Sequence, residues 1–93
     1  MAKLTVGEIS AELHTLPGWT REGDALVKTF HFPTFPAGIA FVDRVALVAE
    51  ELGHHPDITI NYSRVTMRLS THDQGGVTTK DVTLAQRIEV AAK

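Results

Sequence analysis

The sequence has 93 residues, with 9 lysines and arginines against 11 aspartates and glutamates, and it contains no cysteine. This length predicts a single domain, residues 1–93, with one modest core, and the lack of cysteine excludes disulfides and thiolate metal sites. A formal charge of -2 without a basic run, and no apolar run of roughly 20 residues, favour a cytoplasmic protein that binds small molecules or other proteins rather than nucleic acid or a membrane.

The first third of the chain predicts a short helix and a β-hairpin. Thr5 stands three residues before Glu8, which is the spacing of a capping box, and Pro17 is expected to stop the helix. The apolar residues at helical spacing between them are Val6, Ile9, Leu13 and Leu16. Alternating residues on both sides of a turn at 22–24 then predict two strands, which end before Pro33.

The most apolar segment predicts a long helix from Phe35 to Leu52, closed by Gly53 in a left-handed conformation. Its apolar residues form two adjacent stripes, Phe35, Ile39, Val42, Ala46 and Ala49 in one and Phe41, Val45, Val48 and Leu52 in the other. So wide an apolar arc favours burial against both a sheet and a second subunit. The alternative is a central helix that its own domain covers completely.

The last third predicts a second hairpin and a third helix. Residues 58–69 alternate on both sides of a turn near 61–64, and Thr78 and Asp81 have the spacing of another capping box. The resulting order is αββαββα, with hairpins in place of βαβ crossovers. We therefore predict an α+β fold with a four-stranded antiparallel sheet that helices cover on one face.

The histidines are the candidates for chemistry, because imidazole both donates and accepts protons near neutral pH. His54 and His55 are adjacent in the segment "ELGHHPD", and His72 is expected to end the last strand with its side chain pointing away from the core. The second hairpin would bring His72 back towards the pair. Carboxylates that could orient these rings are Glu50, Asp57, Asp73 and Asp81.

Structural interpretations compete with this one. His54 and His55 would satisfy the last carbonyls of a helix, and Asp81 would be only a helix cap. Zinc or iron binding is a further alternative, but adjacent histidines in an extended segment point in different directions and make a poor chelate. Trp19 and Tyr62 would either stack on a flat heterocycle or belong to the core.

The order and spacing of these residues resemble the pterin-4a-carbinolamine dehydratases. The similarity consists of Glu50, "HHP" at His54–Pro56, then Tyr62, His72 and Asp81 at the family's intervals. Further likeness covers most of the chain, including "RVALVAE" from residue 44 and "LSTHDQGGVTTKD" from residue 69 to 81. So long a combination is far more specific than paired histidines alone.

This resemblance implies an enzyme that dehydrates 4a-hydroxytetrahydropterin, the pterin left after aromatic amino acid hydroxylation, to quinonoid dihydropterin. His54, His55 and His72 would surround the pterin as catalytic residues, with neither cofactor nor metal. The substrate-binding residues would be Pro56, Thr71 and Asp73, which shape the pocket, and Glu50 and Asp81, which orient the histidines.

The resemblance also implies a homodimer or homotetramer, and it introduces a second hypothesis for function. Some family relatives act as transcriptional coactivators or as assembly factors for a carbon-fixing enzyme. The alternative is therefore a protein-binding module that keeps its histidines without using them. The intact histidine set favours catalysis.

Overall fold

The helices and strands follow the predicted αββαββα order. A computed structural model describes residues 2–93 and contains α1 (Val6–Leu13), β1 (Thr20–Glu22), β2 (Ala25–His31), α2 (Phe35–Leu52), β3 (Asp57–Asn61), β4 (Arg64–Leu69) and α3 (Thr79–Ala91). A one-turn 3₁₀ helix, His72–Gln74, lies between β4 and α3. None of the helices within residues 2–93 has both the length and the apolar character that crossing a membrane requires.

The four strands form one antiparallel sheet in the order β1-β2-β4-β3. Every second residue of β4 is buried, which is the pattern of a sheet with one covered face. The buried side chains of the sheet meet those of α2 and α3, and the Phe30 and Phe41 rings lie 4.9 Å apart. The predicted fold class is therefore confirmed.

Both predicted capping boxes are present. Thr5 and Glu8 exchange side-chain and backbone hydrogen bonds at the start of α1, and Thr78 and Asp81 do so at the start of α3. The end of α1 was predicted less well, because the helix stops at Leu13 and not at Pro17. After Leu13 the backbone closes tighter i→i−3 hydrogen bonds, and these turn the buried Leu16 into the core.

Only part of the apolar surface of α2 is buried within this chain. Phe41, Val45 and Ala49 face the core, whereas Phe35 is 52% and Leu47 74% exposed. The helix therefore presents apolar side chains on the side away from its own sheet. The second subunit that the sequence suggested stays a prediction.

The end of β4 differs from the sequence prediction. His72 does not end the strand, because β4 pairs with β2 and β3 only as far as Leu69 and Arg68. Thr71 instead pairs with Gly76, which closes a short loop. His72 opens the 3₁₀ helix inside this loop and is exposed, so its expected direction is right although its expected element is wrong.

Candidate active site

The end of α2 determines the position of the first histidine. Gly53 adopts φ 64°, and the backbone N–H of His54 donates to the carbonyl of Ala49 at 3.1 Å. This bond pattern closes the helix with a left-handed residue and reverses the chain immediately after it. His54 is therefore held against the helix end by its backbone before its side chain makes any contact.

A buried carboxylate holds the ring of His54. The Nε2 atom of His54 lies 2.6 Å from Oδ1 of Asp81, which is 0% exposed, and the His54 side chain itself is 13% exposed. An ionised carboxylate only accepts hydrogen bonds, so Nε2 carries the proton in this pair. The other ring nitrogen of His54, Nδ1, then has a lone pair whenever the imidazole is neutral.

Asp81 joins the start of α3 to the site. Its Oδ2 accepts hydrogen bonds from the Thr78 backbone N–H at 2.9 Å and from the Thr71 hydroxyl at 2.8 Å. Because Thr71 donates its only hydroxyl proton to Asp81, the 2.8 Å bond between the Thr71 and Thr78 hydroxyls is donated by Thr78. Asp81 is therefore a helix cap and a histidine partner at once, two interpretations that the sequence left as alternatives.

The second histidine also has a carboxylate partner, but both side chains of this pair are exposed to solvent. Nε2 of His55 lies 2.6 Å from Oε1 of Glu50, and the two side chains are 62% and 79% exposed. A polar contact this exposed contributes little to stability. The contact limits the orientation of the His55 ring, yet much less firmly than Asp81 limits that of His54.

The third histidine comes from the loop between β4 and α3. Two backbone hydrogen bonds between Thr71 and Gly76 close this loop, and Gly75 completes its turn with φ 73°. His72 and Asp73 are both exposed on it. The buried hydroxyl of Thr71 attaches the base of the same loop to Asp81. The loop that carries His72 and the ring of His54 therefore share one anchor.

These elements enclose one cleft of about 410 Å³, which we call the histidine cleft. Pockets that bind small molecules generally measure about 300–1,000 Å³. The lining residues are Gly53, His54, His55, Ser70, Thr71, His72, Asp73 and Lys80. The cleft thus brings all three predicted catalytic histidines together with predicted pocket residues from the 71–73 loop.

Other predicted site residues lie outside the lining. Glu50 and Asp81 contact His55 and His54 from outside the cleft, and half-buried Pro56 and exposed Asp57 do not line it. Lys80 was missed, because the segment 78–81 was considered only for its capping box and for the carboxylate of Asp81. A lysine beside a capping aspartate, at a helix start that faces the histidines, was the available signal.

The two aromatic candidates do not belong to this cleft. Trp19 is 4% exposed, and its indole N–H donates to Glu89 at 3.1 Å, so it is a core residue. Tyr62 is 82% exposed in the β3–β4 turn with φ 54°. Within residues 2–93, no three His, Asp or Glu side chains are grouped so as to hold a metal ion.

The arrangement is suited to moving protons on a bound molecule. One imidazole is oriented by a buried carboxylate, one by an exposed carboxylate, and a third, on the 71–76 loop, has no side-chain hydrogen bond to the rest of residues 2–93. Rings held in different ways around one cleft allow one group to donate a proton while another accepts one.

Comparisons with known proteins agree on one family. The profile of the family described as "Pterin 4 alpha carbinolamine dehydratase" matches residues 2–91. A relative from Thermomicrobium roseum is 51% identical over 88 residues, which cover 95% of each chain. Another from Roseiflexus castenholzii is 53% identical over 88 residues, again 95% of each chain. Both relatives are provisionally named pterin-4-alpha-carbinolamine dehydratase.

Two solved structures have the same fold. A transcriptional coactivator/pterin dehydratase from Brucella melitensis superposes with a TM-score of 0.94 at 34% identity, over 98% of this chain and 99% of that one. A pterin dehydratase-like protein, identified as a RuBisCO assembly factor in the alpha-carboxysome, superposes with a TM-score of 0.65 at 27% identity. That match covers 80% of this chain and 86% of the other.

Proposed function

This chain belongs to the pterin-4-alpha-carbinolamine dehydratase family of hydro-lyases, and from this premise we propose that it converts 4a-hydroxytetrahydropterin to quinonoid dihydropterin and water by histidine acid-base catalysis. Its family membership confirms the resemblance drawn from the sequence. The single observation that supports the proposed mechanism is the convergence of three imidazoles on one cleft, with one of them held by a buried carboxylate.

The reaction needs two proton transfers. The C4a–O bond breaks as the hydroxyl receives a proton and leaves as water, while the lone pair of N5 forms the C4a=N5 double bond. The proton on N5 passes to a base. No electrons leave the pterin–water system and no other group is transferred, so we propose that the enzyme uses neither a cofactor nor a metal.

We assign His54 to one of these transfers because its ring is the most firmly oriented. Asp81 keeps the proton on Nε2, so Nδ1 is the nitrogen that exchanges a proton with the pterin. A carboxylate in this position also stabilises the imidazolium that forms when the ring accepts a proton. The exposed His72 on the opposite loop serves the other transfer.

The remaining cleft residues bind and position the pterin. Glu50 limits the orientation of His55, so we assign His55 to binding with a smaller share in proton transfer. Thr71 and Asp73 shape the wall beside His72. Pro56 follows the two histidines directly and, since it does not line the cleft, supports their backbone rather than touching the substrate.

In this proposal either His54 or His72 can be the acid that protonates the hydroxyl, and the other is then the base that accepts the N5 proton. Each positioned acid or base contributes about 10²- to 10⁴-fold to the rate. The proposed setting is the recycling of pterin after aromatic amino acid hydroxylation, in the cytoplasm. Turnover of the 4a-carbinolamine by the purified chain, above the uncatalysed rate, tests the proposal.

A protein-binding role is the competing hypothesis. One solved structure with this fold is described as a coactivator as well as a dehydratase, and another as an assembly factor. A binding module would keep its fold and its partners after loss of the histidines. Purified protein that dehydrates no carbinolamine, with its fold intact, would favour this second role.

We also propose that the protein is a homodimer or homotetramer. The observation is the exposure of Leu47 and Phe35 on α2, which lie among further apolar residues of a helix whose other face fills the core. Large apolar side chains that stay exposed on a helix commonly mark a surface that packs against another chain. Sedimentation at micromolar concentration measures the assembly directly.

A further inference from the structure

Two buried threonine hydroxyls lie beside the oxygen of Asp81 that His54 does not contact. Thr71 is 4% exposed and Thr78 is 0% exposed, and their hydroxyl oxygens are 2.8 Å apart. Thr71 donates to Oδ2 of Asp81 at 2.8 Å, while His54 Nε2 lies 2.6 Å from Oδ1. We call the side chains of Thr78, Thr71 and Asp81 the hydroxyl chain. It joins the first turn of α3 to the ring of His54.

Each proton in the hydroxyl chain has one direction. The ionised carboxylate of Asp81 only accepts, so Thr71 donates to it and Thr78 donates to Thr71. The oxygen of Thr78 accepts from backbone N–H groups in the first turn of α3, including that of Lys80 at 3.2 Å. Within residues 2–93, every buried side-chain nitrogen and oxygen has a hydrogen-bond partner. The donors therefore follow one another from the helix N–H groups through both hydroxyls to the carboxylate.

This direction excludes Thr71 as a hydrogen-bond donor to the pterin. Thr71 lines the histidine cleft, but its single hydroxyl proton lies on the bond to Asp81. Thr78 does not line the cleft. Thr78 instead contacts Asp81 through both halves of the capping box, since its backbone N–H donates to Oδ2 at 2.9 Å and its hydroxyl accepts from the Asp81 backbone. The two hydroxyls therefore act on the carboxylate that orients His54.

We propose that Thr78 is a positioning residue for the dehydration, and that its hydroxyl acts through Thr71 and Asp81 to hold the ring of His54. This inference rests on the proposed dehydratase function and adds to it a residue outside the cleft. Asp81 lies in the first turn of α3, so loosening of this turn displaces the carboxylate. A displacement of about 1 Å costs up to about 10²-fold in rate. Hydrogen bonds in a chain also polarise one another, so loss of the first weakens the last.

Thr78→Val tests this inference, because valine has the shape of threonine without the hydroxyl. We expect kcat to fall about tenfold and KM to change by less than about twofold, since no residue that lines the cleft is replaced. Thr78→Ser restores the hydroxyl and should return kcat to within about twofold of wild type. Unchanged kcat in Thr78→Val, or an equal loss in Thr78→Ser, would overturn the inference.

Thr5→Val is the matched control. Thr5 caps α1 through the same capping box, and it does not line the histidine cleft. Loss of this cap should leave kcat and KM unchanged. A loss of kcat equal to that of Thr78→Val would show that any weakened helix start lowers the rate, and it would overturn the inference.

A double-mutant cycle with His54→Ala separates positioning from a purely structural role. Because the hydroxyl acts through the His54 ring, Thr78→Val should lower the rate by less than about twofold once this ring is absent. A loss of about tenfold in both backgrounds would contradict the proposal. If Thr78→Val does not fold, Thr71→Val takes its place in the same cycle with the same two outcomes. It removes the middle hydroxyl and keeps the cap of α3.

Exchange of the Nε2 proton of His54 with water, measured by ¹⁵N spectroscopy of the ring, separates this inference from the proposed function. Wild-type protein that does not dehydrate the carbinolamine contradicts the dehydratase proposal alone. The hold on His54 is then supported if this exchange is about tenfold faster in Thr78→Val and unchanged in Thr5→Val. Equal exchange rates in wild type and Thr78→Val would overturn it.

Discussion

Replacing Asp81 by asparagine separates the two roles of this residue. The carboxylate is fully buried and accepts three hydrogen bonds, from Thr78 N–H, the Thr71 hydroxyl and His54 Nε2. An asparagine of the same shape has one oxygen and one NH₂ group. The oxygen should face the fixed N–H of Thr78, which leaves the NH₂ group against His54.

This substitution reverses the proton arrangement on His54. An NH₂ group donates, so Nε2 of His54 has to accept, and the ring proton moves to Nδ1. The nitrogen that faces the pterin then no longer has a lone pair when the ring is neutral. The same kind of change in a serine protease triad lowers kcat by about 10⁴. We therefore expect Asp81→Asn to reduce turnover by about 10²- to 10⁴-fold.

The expected loss of stability is too small to explain such a loss of activity. Neutral hydrogen bonds replace all three charge-assisted ones, which costs about 2 kcal/mol in all, against roughly 5–15 kcal/mol for a typical domain. A domain of this size should then melt about 8–16 °C lower. More than about nine tenths of the variant therefore remains folded at 25 °C, since each 1.4 kcal/mol of stability is a factor of ten in the folding equilibrium.

The assay combines initial dehydration rates, urea unfolding and the ¹⁵N shifts of the histidine rings. Glu8→Gln is the matched control, because Glu8 occupies the same capping-box position in α1 without a histidine partner. It should cost less than about 1 kcal/mol and leave turnover unchanged. Retention of wild-type turnover in Asp81→Asn, or loss of turnover while the His54 proton stays on Nε2, would refute this reasoning.

Four further outcomes are expected. The double replacement of His54 and His72 by alanine should cost much less in rate than the product of the single losses, and kinetics of all three variants measure this. Urea unfolding should show a loss of about 1–3 kcal/mol for His54→Ala, which leaves Oδ1 of buried Asp81 unpaired, and none for exposed His72→Ala. His55→Ala should raise KM more than it lowers kcat. Leu47→Glu should shift sedimentation towards the monomer, and an unchanged assembly would remove α2 from the interface.

Local sequence signals predicted the elements of this fold well. The capping boxes at Thr5 and Thr78 and the left-handed Gly53 depend on residues a few positions apart, and each is present in the structure. The end of β4 was predicted wrongly, because a strand continues only while its neighbours offer backbone partners. The backbone pairing of β4 ends at Leu69, and the alternation of polar and apolar residues in 64–70 gives no sign of this end.

The residues of the site could be predicted from the sequence, but the contacts between them could not. Spacing identified the three histidines and a pool of carboxylates, but pairing them requires contacts across 27 residues for His54 and Asp81. Asp81 was predicted both as a helix cap and as a carboxylate that could orient a histidine, and the structure contains both contacts. Lys80 was overlooked, because its place in the lining depends on how α3 meets the end of α2.

The measurement that tests the central claim most directly is the initial rate of 4a-carbinolamine dehydration by wild-type protein, His54→Ala and His72→Ala. Circular dichroism of each variant establishes that the fold is retained. Paired proton transfer predicts a wild-type rate well above the uncatalysed reaction and a loss of about 10²- to 10⁴-fold in each variant. Folded His54→Ala and His72→Ala proteins that both dehydrate the carbinolamine at the wild-type rate would contradict it.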